Sequence, residues 1–302
     1  MLTLFAHPKV FKGHFGVIQR NAISQWVRLR PTPEIILFGN EEGTLEIAQE
    51  LSLRQVSEVK RNEYGTPLLS DLFAQAHALA SYDILCYANA DMMLLGDFMG
   101  AVQRVAAWRD RFLMVGRRTN VELDEPAIYD SSEREARLRD LVSQRGQLVG
   151  PSAIDYFVFP RGLFPMFPPF AIGRPVWDNW FLWKARNSKM ALVDASEVVL
   201  AVHQNHDYSH HPRGRHGVSY DEEAKENRRM AGRGFCTIGN ATHKLTLNGI
   251  ESCPYFTLKR QAVRTWWSQL LMITGPLRRS LGLRKEKIAS VMGKLGLSSS
   301  RQ

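Results

Sequence analysis

The 302-residue sequence holds only three cysteines, Cys86, Cys236 and Cys253, an odd number with no CxxC spacing. That excludes a disulfide framework and a cysteine-based zinc site as organising principles. No run of about 18 apolar residues exists, so nothing reads as a conventional membrane-spanning helix. The opening, Met-Leu-Thr-Leu-Phe-Ala-His-Pro, lacks the basic segment and long apolar stretch of a secretory leader. The expected address is a reducing cytoplasm. Fourteen prolines and 22 glycines are ordinary and exclude collagen-like and low-complexity chains. Acids are scarce in one place: residues 259–301 hold ten bases and a single acid, Glu286. This segment carries the whole formal charge of +9, and residues 1–258, with 29 bases and 29 acids, are neutral.

What is present is a chain long and apolar enough to bury a core and leave a cleft. Short apolar runs at residues 2–6, 34–38, 56–59, 83–87 and 112–115 read as strands. Between them, apolar residues recur at helical spacing over 15–29, 44–51 and 68–79. This alternation predicts parallel strands with crossover helices, hence an α/β sheet. Ligands of such sheets sit outside the carboxyl ends of the strands. The residues expected there are His7-Pro8-Lys9, Gly39-Asn40-Glu41-Glu42-Gly43, the loop Arg61-Asn62-Glu63-Tyr64-Gly65-Thr66-Pro67, and Ala88-Asn89-Ala90-Asp91. Gly and Asn make turns in any loop. The fourth loop is more telling, because Asp91 is one carboxylate set between two strongly apolar runs. A charge beside a core needs a partner, and a hard cation is a natural one.

Residues 117–150 read as a charged insertion with a helix over 132–145, a solvated face or a lid. A loop then enters an apolar strand at Asp155-Tyr156-Phe157-Val158-Phe159. Pro160, Pro165, Pro168, Pro169 and Pro175 forbid a regular helix in the aromatic stretch that follows, which is expected to pack as a wall. Helical spacing returns at Trp177-Asp178-Asn179-Trp180, where the helix dipole alone would favour an acid in the first turn. A strand over 198–203 opens into His203-Gln204-Asn205-His206-Asp207-Tyr208-Ser209-His210-His211, four histidines in nine residues. The cluster points to metal or phosphate, though its spacing matches neither HExxH nor a zinc-finger pair.

Together these segments resemble the GT-A glycosyltransferases, which bind nucleotide sugars on a Rossmann-like sheet. Tyr82-Asp83-Ile84-Leu85-Cys86-Tyr87-Ala88-Asn89-Ala90-Asp91 is similar to that family's DxD region, with Asn89 in place of the first Asp and Asp91 matching the last. Gly39–Gly43 is similar to the acidic loop that contacts base and ribose. Asp178 occupies the place of the catalytic base of inverting members, and His203 or His206 that of a C-terminal metal-binding histidine. The resemblance implies a single α/β domain of GT-A type. Residues 1–116 would be its nucleotide-sugar-binding half, 117–150 the insertion, and 151–258 the acceptor-binding and catalytic half. The implied donor contacts are His7, Pro8, Asn40, Glu41, Glu63, Gly65, Thr66, Asn89, Ala90 and Asp91. The implied metal ligands for Mn or Mg are Asp91, His203 and His206. Asp178, then Asp155, would be the general base, and Arg161 or Arg174 would meet phosphate. The expected acceptor is a glycan or a lipid-linked glycan.

Residues 259–302 combine Trp266-Trp267, apolar residues near helical spacing and interspersed bases. This fits a helix lying reversibly on an anionic membrane surface, at the inner face of the membrane. A helix docked on the body is the plainer alternative. Nucleic acid is not expected as a partner, because the body shows no basic patch or aromatic platform. Two other functions stay open: a metal-dependent hydrolase or nucleotidyltransferase using Asp91 and the 203–211 cluster, and an inactive scaffold of the same fold.

Overall fold

The computed structural model describes residues 1–123, 133–207 and 214–253, all within one compact unit, Met1–Pro254. The basic segment 259–302 lies outside the described residues, as do Tyr208, Ser209, His210 and His211. In chain order the elements are β1 (Leu2–Ala6), α1 (Gly13–Val27), β2 (Glu34–Phe38), α2 (Thr44–Glu50), β3 (Arg54–Val56), α3 (Leu69–Leu79), β4 (Ile84–Ala88) and β5 (Met92–Leu94). There follow α4 (Asp97–Trp108), β6 (Phe112–Val115), β7 (Arg118–Val121), α5 (Glu133–Arg145), β8 (Gln147–Leu148), β9 (Tyr156–Pro160) and α6 (Trp177–Asn187). The last are β10 (Ala191–Asp194), β11 (Ala201–Gln204), α7 (Gly214–Tyr220), α8 (Glu222–Ala231), β12 (His243–Leu245) and β13 (Ile250–Ser252).

Nine strands form the main sheet in the order β13-β12-β10-β6-β9-β4-β1-β2-β3. Its inner strands, β1, β2, β4, β6 and β9, read as apolar runs because both faces are covered. Leu2, Leu4 and Ala6 of β1 join one buried cluster with Ala22, Ile23 and Trp26 of α1 and Phe98 of α4. Phe5 points the other way, into a second cluster with Phe73 of α3 and Phe181 of α6. The proline-rich stretch is non-helical as expected, and Phe164, Phe167 and Phe170 are buried in that second cluster. Phe167 stacks on Phe73 with ring centroids 4.1 Å apart.

The structure corrects the sequence reading in three places. The sheet is mixed: β9 runs antiparallel to both β4 and β6, and β13 antiparallel to β12. A run buried on both faces encodes burial but not direction. The third strand lies earlier than expected, at Arg54–Val56. Within 117–150, β7 and β8 are strands of a second sheet, ordered β5-β11-β7-β8. Thr119 and Val121 of β7 are buried, so this part of the insertion belongs to the body. Helix α5 is also docked, with Leu138 and Val142 buried and Arg139 bound to Asp97 of α4 at 2.8 Å.

Candidate active site

The carboxyl ends of β1, β2 and β4 and the start of the antiparallel β9 lie at one edge of the main sheet, where the loops named above gather. The turn after β4 is closed by the Met92 amide, which donates to the Asn89 carbonyl at 3.0 Å. The chain then enters β5, which pairs antiparallel with β11 so that Met92 stands opposite His203. That register brings Asp91 to the two histidines. Asp91 Oδ2 lies 3.1 Å from His206 Nε2 and 3.7 Å from His203 Nε2. One ligand atom from each of the three falls within 4.8 Å of the others. Gln204, fully buried, ties the arrangement together. Its amide donates to the carbonyls of Ile18 at 2.7 Å and Asp91 at 3.1 Å, and its oxygen accepts from Asn21 at 2.9 Å.

Burial by itself would raise the Asp91 carboxyl, but the neighbouring His203 and His206 outweigh it and hold the group well below the usual carboxylate range. Burial pushes the His203 imidazole down, favouring the neutral form that ligates metal. Asp91 Oδ1 and His203 Nδ1 are buried and find no hydrogen-bond partner. Unmet ligand atoms on one carboxylate and a neutral imidazole fit a divalent cation.

Asp155 lies near enough to act on His203, and Asp178 lies near Asp155 in turn. Asp155, just ahead of β9, accepts from Asn89 Nδ2 at 2.7 Å on one oxygen and from Arg118 at 2.5 Å on the other. Both of its oxygens are therefore engaged. Asp178 sits in the first turn of α6, held by Trp177, which packs on Tyr87 and Phe157 with centroids 5.4 and 5.2 Å away. The residue before that turn, Val176, has φ of +76°, a left-handed conformation that is costly for a β-branched side chain. Burial, reinforced by the charge of Asp155, raises the Asp178 carboxyl to about 7. Two neighbouring carboxylates are thus set apart: one paired with Arg118 and one raised toward neutrality.

At the next loop, Glu41 receives His7 at 3.2 Å and Arg61 at 2.7 Å. Burial opposes its ionisation, but His7 and Arg61 prevail and lower it to about 2. Arg61 also donates to Asn40 at 3.3 Å and to the Gly65 carbonyl at 3.0 Å, joining the loops after β2 and β3. Gly39 has φ of +103°, and a Cβ there would run into Glu41 and His7. Pro8 and Ala90 are buried, and the Thr66 amide donates to Asn62 at 2.9 Å. Glu63 is exposed and makes no hydrogen bond or ion pair among the described residues. Arg161 lies elsewhere, bound to Asp83 and the Ala80 carbonyl at the start of β4. Arg174 is clasped by Asp221 and Glu223 of the α8 region.

Sequence reasoning passed over three residues. Arg118 and Gln204 carried no signal, since their partners are distant in the chain. Lys9 lay in a named loop but stood out only once its ammonium was placed 4.6 Å above the Phe15 ring, itself 5.1 Å from the His206 ring. An open cavity of about 730 Å³ adjoins these groups, lined by Phe15, His14, Glu122 and His206 among others.

No protein-family model and no curated protein sequence matches the chain. Solved structures do. S. aureus TarS 1–349 in complex with UDP-GlcNAc is 11% identical, with a TM-score of 0.55 over 98% of this chain and 79% of that one. The same protein in complex with UDP gives 11% identity and a TM-score of 0.52 over 96% and 78%. A longer TarS structure is spanned over only 38% of its length. At such identities the likeness speaks for the fold: a single α/β domain resembling the GT-A, Rossmann-like architecture.

Proposed function

We propose that the chain is a glycosyltransferase that moves a sugar from a nucleotide-sugar donor to a hydroxyl of a glycan or lipid-linked acceptor. The observation that carries this reading is the convergence of Asp91, His203 and His206, with open ligand atoms, at the carboxyl edge of a GT-A-like sheet. A mixed set of one carboxylate and two imidazoles suits Mn better than Mg. A divalent cation bound there would supply positive charge to the departing nucleoside diphosphate. Glu41, fixed by His7 and Arg61, offers a carboxylate to ribose or base hydrogen-bond donors, alongside Asn40, Gly65 and Thr66. Because TarS is seen with UDP and UDP-GlcNAc, UDP-sugars are the first donors to try.

The reaction breaks the bond between the sugar's anomeric carbon and the diphosphate oxygen, which keeps the electron pair. The acceptor oxygen bonds to the anomeric carbon, and its proton passes to Asp178 as general base. With both oxygens engaged, Asp155 is better suited to steady Asn89 and to raise Asp178 than to take a proton itself. Attack opposite the leaving group would invert the anomeric centre. In this reading the basic segment 259–302 holds the enzyme reversibly at the inner face of the membrane, near a lipid-linked acceptor.

The test is donor turnover with Mn, followed as UDP release across pH. A general base must be unprotonated, so the rate should climb as pH rises through about 7, the range set for Asp178. Asp178→Asn should cost about 10²- to 10⁴-fold and remove that limb. Undiminished turnover in Asp178→Asn would overturn the assignment of the base.

A further inference from the structure

We propose that Lys9 is a donor-binding residue, its ammonium hydrogen-bonding the diphosphate oxygen that becomes the leaving group. This rests on the nucleotide-sugar reading above and adds to it a phosphate-binding role for a residue of the β1 loop.

The position is built rather than accidental. Lys9 follows buried Pro8, and its backbone is pinned from both sides by Gln19, which is 2% exposed. The Lys9 amide donates to Gln19 Oε1 at 2.5 Å, and Gln19 Nε2 donates back to the Lys9 carbonyl at 3.0 Å. The stem is thereby aimed across the Phe15 ring, with Nζ 4.6 Å from its centroid. The Phe15 ring faces His206, and His206 touches Asp91. The ammonium also lies near enough to Asp91 for the two charges to act on each other.

Its charge is committed to no ion pair: Asp91 and Asp207 act on it only from beyond ion-pair distance. Among the described residues Lys9 forms no ion pair, and its only close partner for the cation is an aromatic face. Burial is the main influence on its ionisation and lowers it; Asp91 and Asp207 oppose that, while Arg174 adds to it. A half-buried cation with no carboxylate in contact gains from an anion that arrives beside it. With a divalent cation on Asp91, His203 and His206, the cleft would carry more positive charge than Asp91 offsets. A diphosphate brings the matching negative charge and several acceptor oxygens to the same place. A compact ammonium on a flexible stem suits an oxygen whose charge grows as the bond breaks.

The probe is inorganic pyrophosphate with Mg, titrated calorimetrically into the full chain, beside Mn alone followed by electron paramagnetic resonance. Wild type should bind both. Lys9→Met should weaken pyrophosphate by about 10- to 100-fold, the worth of one hydrogen bond to a charged group. Lys9→Arg should restore most of it. Mn affinity should stay the same or rise in Lys9→Met, since a repelling cation has gone. Unchanged pyrophosphate affinity in Lys9→Met, or loss of Mn along with pyrophosphate, overturns the proposal, the latter because it marks a structural role. Wild type that binds Mn but no pyrophosphate overturns the donor reading itself, and Lys9's role with it.

Discussion

Asn89, in the turn after β4, has surroundings that favour an amide over a carboxylate. Its amide donates to Asp155 at 2.7 Å, while the other Asp155 oxygen is taken by Arg118. A carboxylate at 89 would face a carboxylate across a hydrogen-bond distance, so one of the two would have its ionisation raised in the folded state. Above about pH 4 the folded protein would then hold a proton that the unfolded chain releases. Stability would fall as pH rises. Thermal midpoints of Asn89→Asp and wild type should therefore diverge between pH 5 and pH 8; a constant gap would contradict this account of the amide. Asp91 was legible in the sequence because a lone carboxylate between apolar runs demands a partner. Lys9 and Arg118 were not, because the chain holds many such cations and only the fold shows that these two come near Asp91 and Asp155.

At the scale of elements, the loop after β2 depends on one backbone conformation. Gly39 occupies the left-handed region at φ +103°, and a Cβ would collide with the Glu41 carboxylate and the His7 ring. Gly39→Ala should destabilise the domain by about 1–3 kcal/mol. Through the displaced Glu41 it should also weaken nucleoside diphosphate binding, while Mn binding at Asp91 is spared. Equal loss of both ligands would mean that the loop merely holds the fold. The first two strands and helix α1 between them could be read from periodicity, because burial on two faces leaves long apolar runs. The short strands β5 and β7 could not. Three or four residues give too little alternation, yet β5 supplies the register that brings His203 to Asp91. The antiparallel entry of β9, which carries Asp155 to the same edge, was likewise invisible to hydrophobic pattern.

For the whole molecule, charge is unevenly spread along the chain: residues 1–258 are neutral, and residues 259–301 carry the whole formal charge of +9. The body has two buried apolar clusters, one on each face of its sheet, and a polar edge where the proposed nucleotide sugar would bind. Among its described residues no helix is long and apolar enough to cross a membrane. The central claim is that a divalent cation on Asp91, His203 and His206 binds a nucleoside diphosphate there. The most direct measurement is a thermal-shift panel of nucleoside diphosphates and nucleotide sugars, with and without Mn, on wild type and Asp91→Ala. A ligand at 100 times its dissociation constant stabilises by about 2.7 kcal/mol, well within reach of the method. The account predicts a shift with one nucleotide class that needs Mn and disappears in Asp91→Ala. No shift with any nucleotide, or a shift that survives loss of Asp91, would contradict it.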